Sequence, residues 1–134
     1  MKKKEILSIL RSNNFEIKKK VFGKYDFEVI TENNVYALKI VNLTSNHMVT
    51  VNSRTMWEIK RGKISGLKFQ ALDKSLLNIK DFMEKEKRIV MFSEKPYKIM
   101  KHINESDIVD VSSEEIINNT LLTSNIDRVV DYIK

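Results

Sequence analysis

The sequence has no cysteine, one proline and only three glycines in 134 residues. Without cysteine the chain forms no disulfide, holds no metal through thiolates and has no cysteine nucleophile. Gly23, Gly62 and Gly66 match neither a P-loop nor a dinucleotide-binding fingerprint. His47 and His102 are the only histidines, and neither has the neighbours of a catalytic triad or a zinc site, so we interpret both as surface or structural residues.

Long hydrophobic runs are also missing. No stretch of 18 apolar residues occurs, and the N-terminus MKKKEILSILRSNN lacks the apolar region and small-residue cleavage site of a secretory signal. We therefore expect a soluble protein without membrane contact, with the cytoplasm as the default compartment. The length and the 42% apolar fraction fit one domain over 1–134. Within it we expect a core at 1–111 and a helical extension at 112–134.

The positive charge is concentrated at the N-terminus. Residues 1–24 hold eight basic and two acidic residues, whereas residues 25–134 hold 16 of each. From Asn104 onward seven acids oppose two basic residues. Such polarity is typical of a protein that places one side on a polyanion such as nucleic acid. The alternative is a lysine-rich surface that only keeps a small protein soluble.

A β-hairpin is the clearest local pattern, and it extends from Tyr25 to Leu43. Apolar residues alternate with polar ones on each side of Glu32-Asn33-Asn34, which has turn composition. Because successive side chains in a strand point to opposite faces, we expect Asp26 and Glu28 to share a face. By the same rule Ala37 and Lys39 share a face of the second strand.

The rest of the chain predicts a mixed α/β order. The predicted elements are a helix over 2–11, a strand over 15–22, a long connection with one strand over 44–66, a helix over 67–87, a buried strand over 88–93, a short strand over 107–111, a helix that begins with the capping box Ser112 to Glu115, and a last helix from 125. The helix over 67–87 is predicted because Phe69, Leu72, Leu76, Ile79 and Met83 recur at spacings of three and four. We expect it to pack across a three-stranded meander over 14–43.

Two basic groups are candidate nucleic-acid contacts. Cations supply phosphate contacts, and an aromatic ring among them supplies a surface on which bases stack. The candidate residues are Lys18, Lys20, Lys24, Arg54, Trp57, Lys60, Arg61 and Lys63. For the single tryptophan the alternative is a core or edge anchor.

The order helix, three strands, helix, strand, with an aspartate opening the second strand and a lysine in the third, resembles the PD-(D/E)xK nuclease superfamily and in particular Holliday-junction resolvases. The similarity covers about residues 2–111. It implies a restriction-endonuclease-like αβββαβ core with a mixed central sheet and C-terminal helices. Glu5, Asp26, Lys39 and Gln70 match the family's helix acid, strand aspartate, lysine and glutamine. Ala37 stands where the family has its second carboxylate.

That departure affects the metal site which the resemblance implies. In the family, carboxylates hold Mg²⁺ or Mn²⁺ and the metal activates a water molecule. Asp26 alone is a poor site, so either Glu28 supplies the missing ligand or catalysis has been lost while the DNA-binding shape remains. A third interpretation is that Asp26 and Lys39 form only a cross-strand ion pair, worth a few tenths of a kcal/mol.

Three functions therefore stand at this point. The first is a DNA-binding protein with a nuclease-like fold and an incomplete metal site, acting in DNA recognition or regulation. The second is an active Mg²⁺-dependent endonuclease that uses Asp26, Glu28 and Lys39. The third is a protein-interaction or assembly module whose basic face meets an acidic partner. Resolvase relatives are commonly dimers, so the resemblance also implies a homodimer.

Overall fold

The computed structural model describes residues 2–19, 25–51, 56–66 and 68–134. Within these ranges the chain forms three helices and eleven strands. In chain order they are α1 (Lys3–Ser12), β1 (Glu16–Lys19), β2 (Phe27–Ile30), β3 (Val35–Val41), β4 (His47–Val51), β5 (Met56–Ser65), β6 (Lys68–Asn78), α2 (Lys80–Met83), β7 (Arg88–Phe92), β8 (Lys98–His102), β9 (Ile108–Asp110), β10 (Ile116–Ile117), β11 (Thr120–Thr123) and α3 (Ile126–Ile133).

Six strands form a central sheet in the order β1-β2-β3-β7-β11-β10. The pairs β1–β2 and β2–β3 are antiparallel, so the predicted meander is confirmed within the described residues. β7 runs parallel to both of its neighbours, β3 and β11. All five of its residues are buried, which confirms that the apolar run at 88–92 forms an inner strand of a sheet.

The other five strands form a second sheet in the order β6-β5-β4-β8-β9. β4 and β8 are parallel, and the remaining pairs are antiparallel. The predicted strands in the segment 44–66 and at 107–111 are confirmed as β4 and β9. The rest of the segment 44–66 was predicted as a connection, which is wrong, because Met56–Ser65 forms β5. β5 and β6 pair over most of their length, whereas β4 pairs only with the half of β5 from Trp57 to Arg61. The two long strands therefore extend beyond the sheet as a two-stranded ribbon.

β3 of the central sheet is followed in the chain by β4 of the second sheet, and β7 is followed in the same way by β8. A parallel pair of strands thus continues from one sheet into the other. At the corner Leu43 N–H donates to Ser93 Oγ at 2.9 Å, and Ser93 Oγ donates to Leu43 O at 2.9 Å. Tyr97 N–H then donates to His47 O at 2.7 Å. Because the two strands stay side by side through the corner, the neighbours of β3 and the neighbours of β4 lie on the same lateral side. The β1–β2 edge and the β5–β6 edge thus share one side of the molecule.

Two apolar clusters separate three layers. One cluster lies between the two sheets and includes Ala37, Trp57 and Phe92. The other lies between the central sheet and the helices α1 and α3, with Phe27 and Leu38 from the sheet. The helices form at the two ends of the chain because apolar residues recur there at helical spacing, which confirms both terminal helices.

The helix predicted over 67–87 is wrong. Residues 68–78 form β6, and only Lys80–Met83 is helical. Leu77 packs against the cluster between the sheets whereas its neighbour Leu76 is exposed, and the ladder has a bulge at Leu72, so the spacing of three and four was accidental here. Tertiary pairing with β5 decided the conformation, and α1 and α3 cover the meander in place of the predicted helix.

The helix predicted from the capping box Ser112 to Glu115 is also wrong. Ile116–Ile117 and Thr120–Thr123 form a hairpin in which β11 joins the central sheet. Asn118 and Asn119 connect them with φ angles of 52° and 59°, the left-handed region that a two-residue hairpin turn requires and asparagine tolerates. The C-terminal extension thus contains one helix, α3, and contributes strands to the sheet.

The observed class is α/β with mixed sheets and a C-terminal helix. None of the helices in the described ranges is long and apolar enough to cross a membrane.

Candidate functional site

Glu28, Ala37 and Lys39 lie on the same face of the central sheet. Glu28 and Ala37 are direct register partners between β2 and β3, and Lys39 is two residues further along β3. Lys18 is the register partner of Glu28 on β1, and Arg88 is the partner of Ala37 on β7. One row across the sheet therefore carries a lysine, a carboxylate, an alanine and an arginine.

Asp26 lies one residue before β2, and its carboxylate contacts the helical side of the molecule. Ile40 N–H donates to Asp26 Oδ2 at 2.7 Å, and Lys3 Nζ of α1 lies 3.2 Å from Asp26 Oδ1. Lys3 Nζ also lies 5.3 Å from the centre of the Phe27 ring, which belongs to the cluster under the helices. The carboxylate thus fixes α1 and the β2–β3 ladder together, a structural role for the matched aspartate.

Glu28 contacts the other layer. The hydroxyl of Tyr25 donates to Glu28 Oε1 at 2.9 Å, and the Tyr25 ring is buried in the cluster between the sheets. Glu28, Tyr25 and Ala37 line a cavity of about 380 Å³, with Lys85 and Lys87 on its rim. The carboxylates of Asp26 and Glu28 therefore lie on different sides of the central sheet, because the regular alternation of side chains begins only within β2.

The carboxylates of this region do not fit a divalent metal. Mg²⁺ and Mn²⁺ need several oxygen ligands that converge on one point. No group of three potential ligands exists in the described ranges. Glu5 is exposed in the first turn of α1, and Gln70 is exposed on β6, in the second sheet and not on the predicted helix. The residues that the resemblance matched thus do not converge: Glu5 lies on α1, Asp26 contacts α1, and Gln70 lies in the second sheet.

The candidate nucleic-acid contacts fall into three groups. Lys18 is exposed on β1, and Lys60, Arg61 and Lys63 lie on β5. Trp57 is completely buried between the sheets, so its interpretation as a base-stacking surface is wrong and the core-anchor alternative is confirmed. The three remaining candidates, which lie outside the described residues, are Lys20, Lys24 and Arg54.

β6 adds two cations that the sequence pattern assigned to a helix. Lys68 is exposed near the end of the ribbon, and Lys74 Nζ lies 2.8 Å from Glu58 Oε1. Lys60 Nζ lies 3.6 Å from the other oxygen of the same glutamate. The periodicity of the sequence could not indicate that Lys68 and Lys74 lie beside β5, because only the pairing of β6 with β5 brings them there.

The charges are separated across the molecule. The edges formed by β1 and by β5–β6 share one lateral side and carry seven basic residues against the three acids Glu16, Glu58 and Asp73. The basic residues are Lys18, Lys19, Lys60, Arg61, Lys63, Lys68 and Lys74. At the opposite side lie β9 and β10, within a segment from 103 to 120 that holds five acids and no lysine or arginine. The gradient predicted from the sequence is thus organised laterally across both sheets.

Arg88 is a buried cation that the sequence analysis did not select. Its guanidinium donates to Thr120 Oγ1 at 2.9 Å, to Met83 O at 3.0 Å and to Lys85 O at 2.7 Å, and also to Asn118 O. Burial lowers the pKa of the Arg88 guanidinium from its usual value. Arg88 is a structural connection between β7 and the hairpin of β10 and β11, and its position at the start of an apolar run is its only sequence signal.

Comparison of the chain with protein-family models, curated proteins and solved structures finds no match.

Proposed function

We propose that this protein binds nucleic acid, with DNA as the first candidate, and does not cleave it. The lateral charge separation carries the proposal. The cation-bearing edges of both sheets lie on one side, opposite the acidic segment 103–120. A polyanion is attracted to the first side and repelled by the second, so the charge distribution orients the protein on its ligand.

The form of the basic edge suits an extended polyanion. Arg61 is paired with Asp73 at 3.2 Å, but both side chains remain 57% exposed, so the pair is weak and open to exchange for a phosphate. Lys63 and Lys68 are exposed on the ribbon, and Lys18 is exposed on the central sheet. Cations spread along two edges contact several phosphates in a row without reading bases, so sequence preference should be weak.

The element order gives further support. A helix, an antiparallel three-stranded meander and a parallel fourth strand follow the order of the restriction-endonuclease-like core. The connection from β3 to β7 departs from it, because it passes through the second sheet and the four-residue α2 where that core has a long helix. The support therefore comes from the central sheet alone.

A matched pair of double variants tests the proposal. The first is Lys18→Gln/Lys63→Gln, which removes one charge from each basic edge. The control, Lys95→Gln/Lys101→Gln, makes the same change in net charge at two lysines away from these edges, one exposed just before β8 and one half-buried on β8. Affinity for labelled duplex, branched and single-stranded DNA is measured by fluorescence anisotropy over a series of salt concentrations.

We expect the wild type to bind all three DNAs, with affinity that falls steeply as salt rises. The slope of log affinity against log salt should decrease by about 1 for each lysine removed from the edges. The control should keep the wild-type slope. Equal slopes for both double variants, or no binding at low salt, would refute the proposal.

One observation favours a metal-dependent endonuclease as a second candidate. Glu28 is the register partner of Ala37 and lines the cavity of about 380 Å³, so a carboxylate stands beside the position that lacks one. In this alternative Glu28 replaces the carboxylate missing at position 37. Its test is the cleavage assay given in the Discussion.

A further inference from the structure

Neither apolar cluster of the described residues covers the outer face of the second sheet, the face directed away from the central sheet. One cluster lies between the two sheets, and the other lies under α1 and α3. Val49 and Ile99, register partners on β4 and β8, belong to the cluster between the sheets. Their neighbours Met48 and Lys98 are also register partners and therefore point to the outer face, where both are only half-buried.

A row of lysines crosses this outer face. Lys60 of β5 is the register partner of both Met48 and Lys74, so the row consists of Lys98, Met48, Lys60 and Lys74. Lys60 and Lys74 contact the same carboxylate, that of Glu58, at 3.6 and 2.8 Å, so their side chains lie on one face. Glu58 and Asp110 flank the row, and its three cations exceed these two carboxylates.

Two aromatic rings lie on the same face. The rings of Phe69 and Tyr97 are stacked, with centroids 5.5 Å apart and an angle of 16° between their planes. The Phe69 ring lies against β5 at Gly62, where a Cβ would be only 2.5 Å from Phe69 Cζ, so the glycine makes room for the ring. The bulge inserts its extra residue into β6, so alternation continues along β5 and Gly62 shares the face of Lys60.

The aromatic pair combines accessible rings with a neighbouring cation. Phe69 and Tyr97 are each half-exposed, and Lys98 Nζ lies 5.6 Å from the centre of the Tyr97 ring. Accessible aromatic rings on a sheet face, with lysines beside them, suit a strand whose bases stack on the rings while its phosphates contact the cations. Bases inside a duplex stack on each other and do not offer their faces to such a surface.

We propose that the outer face of the second sheet binds single-stranded nucleic acid, with bases stacked on the Phe69–Tyr97 pair and phosphates along the lysine row. The inference rests on the proposed nucleic-acid binding and specifies a strand with unpaired bases as the preferred ligand. Lys60 and Lys74 belong both to the basic edge and to the row, so edge and face form one continuous surface. Since every base has a face that can stack, the preference is for unpaired bases and not for a sequence.

A strand without bases separates stacking from charge. Fluorescence anisotropy at low salt compares an oligothymidylate with an abasic strand that has the same number of phosphates. We expect the wild type to bind the oligothymidylate about 5- to 150-fold more tightly, the range that corresponds to one base stacked on an aromatic ring. Equal affinity for the two strands would overturn the proposal.

Leucine substitutions test the two rings. Phe69→Leu and Tyr97→Leu should each reduce the preference for the oligothymidylate and leave the salt dependence of abasic-strand binding unchanged, because neither removes a charge. Phe69→Tyr and Tyr97→Phe keep a ring and should keep the preference. The matched control is Tyr132→Leu, at a half-buried tyrosine of α3 on the far side of the central sheet. A preference that survives in both leucine variants of the pair would contradict the assignment.

Photochemical cross-linking tests the contact in the wild type, so it does not depend on the folding of a variant. A strand with 5-iodouracil in place of thymine is irradiated in the complex, and the attached residue is identified by mass spectrometry. We expect cross-links at Phe69 or Tyr97. Cross-links confined to other residues would show that the bases lie elsewhere and would refute the inference.

Failure of this inference is distinguishable from failure of the proposed function. A protein that binds the oligothymidylate and the abasic strand equally, with a steep salt dependence, binds nucleic acid through charge without stacking. A protein that binds neither strand and no duplex at low salt refutes both proposals.

Discussion

Glu28 lies directly opposite Ala37 in the ladder between β2 and β3. Ala37 stands where the resembled nuclease family has its second metal-binding carboxylate, and Glu28 is the carboxylate that lies beside this position. Glu28 accepts a hydrogen bond from Tyr25, while the nearby Asp26 contacts Lys3 and the Ile40 N–H. The two carboxylates are therefore held by different layers of the fold.

Nicking of junction and duplex DNA with Mg²⁺ or Mn²⁺ is the first measurement. The wild type should give no metal-dependent cleavage, because two carboxylates held in different contacts leave a hard cation mostly bound by water. Ala37→Glu adds a carboxylate at the cavity wall and should strengthen Mn²⁺ binding, measured by calorimetry. The matched control Ala37→Gln adds the same bulk without the charge.

Wild-type cleavage that disappears in both Asp26→Ala and Glu28→Ala would instead favour the endonuclease. Cleavage that survives Asp26→Ala would show that any active site lies elsewhere in the chain.

Trp57 should govern stability and leave nucleic-acid contacts unchanged. Its side chain is completely buried, so Trp57→Ala should lower the free energy of unfolding by about 3 to 5 kcal/mol. Urea denaturation measures the loss, and Trp57→Phe, which keeps an aromatic ring, should cost less. Since the chain has one tryptophan, saturating DNA should not quench its fluorescence by stacking. Strong quenching by DNA would contradict the core assignment.

Arg88 should be required for stability because its guanidinium satisfies four oxygen acceptors. Arg88→Met leaves three partly buried carbonyls and the buried Thr120 hydroxyl without this donor and should cost at least about 2 kcal/mol in urea denaturation. Arg88→Lys keeps the charge but lacks the planar fork, so it should also destabilise. The control is Arg11→Met on the exposed face of α1, where a change within about 0.5 kcal/mol is expected.

Asp110 should contribute to stability only above acidic pH. Hydrogen bonds from the side chain and the backbone N–H of Ser112 lower the pKa of the Asp110 carboxyl, and Lys98 adds to the effect. A carboxyl group whose pKa is lower in the folded state than in the unfolded state stabilises the fold at pH values above its unfolded pKa. This contribution is lost as the pH falls through the folded pKa.

Ser112→Ala should therefore raise the pKa of Asp110 towards its usual value, measured by carboxyl NMR titration. Ser113→Ala, the same change one residue later, should leave it where it is. An unchanged pKa in Ser112→Ala would show that the hydroxyl does not act on Asp110.

Local patterns predicted four of the six strands of the central sheet, β1, β2, β3 and β7, but not β10 and β11. The alternation in β2 and β3 and the Glu32-Asn33-Asn34 turn specify a hairpin through neighbouring residues. The apolar run of β7 specifies a strand covered on both faces. The two terminal helices follow from apolar residues at helical spacing. In each case residues close in sequence hold enough information, because the buried face repeats with the period of the element itself.

The second sheet could not be read in the same way. β6 has apolar residues at helical spacing, but its pairing with β5 and the partial burial of Leu77 depend on residues far away in the sequence. The sequence likewise left two interpretations of Trp57 open, a base-stacking surface and a core anchor. Only the packing of the two sheets over its side chain decides for the core anchor.

The sequence by itself determined the hairpin, the terminal helices, the inner strand and the charge gradient, since each depends on neighbouring residues or on composition. Only the tertiary structure decided that Asp26 contacts α1 while Glu28 contacts Tyr25, that the basic edges share one side, and that Leu72 and Leu76 face solvent on an edge strand. The physical reason is that strand pairing and sheet packing join residues far apart in the chain, and no local period records which partners will meet.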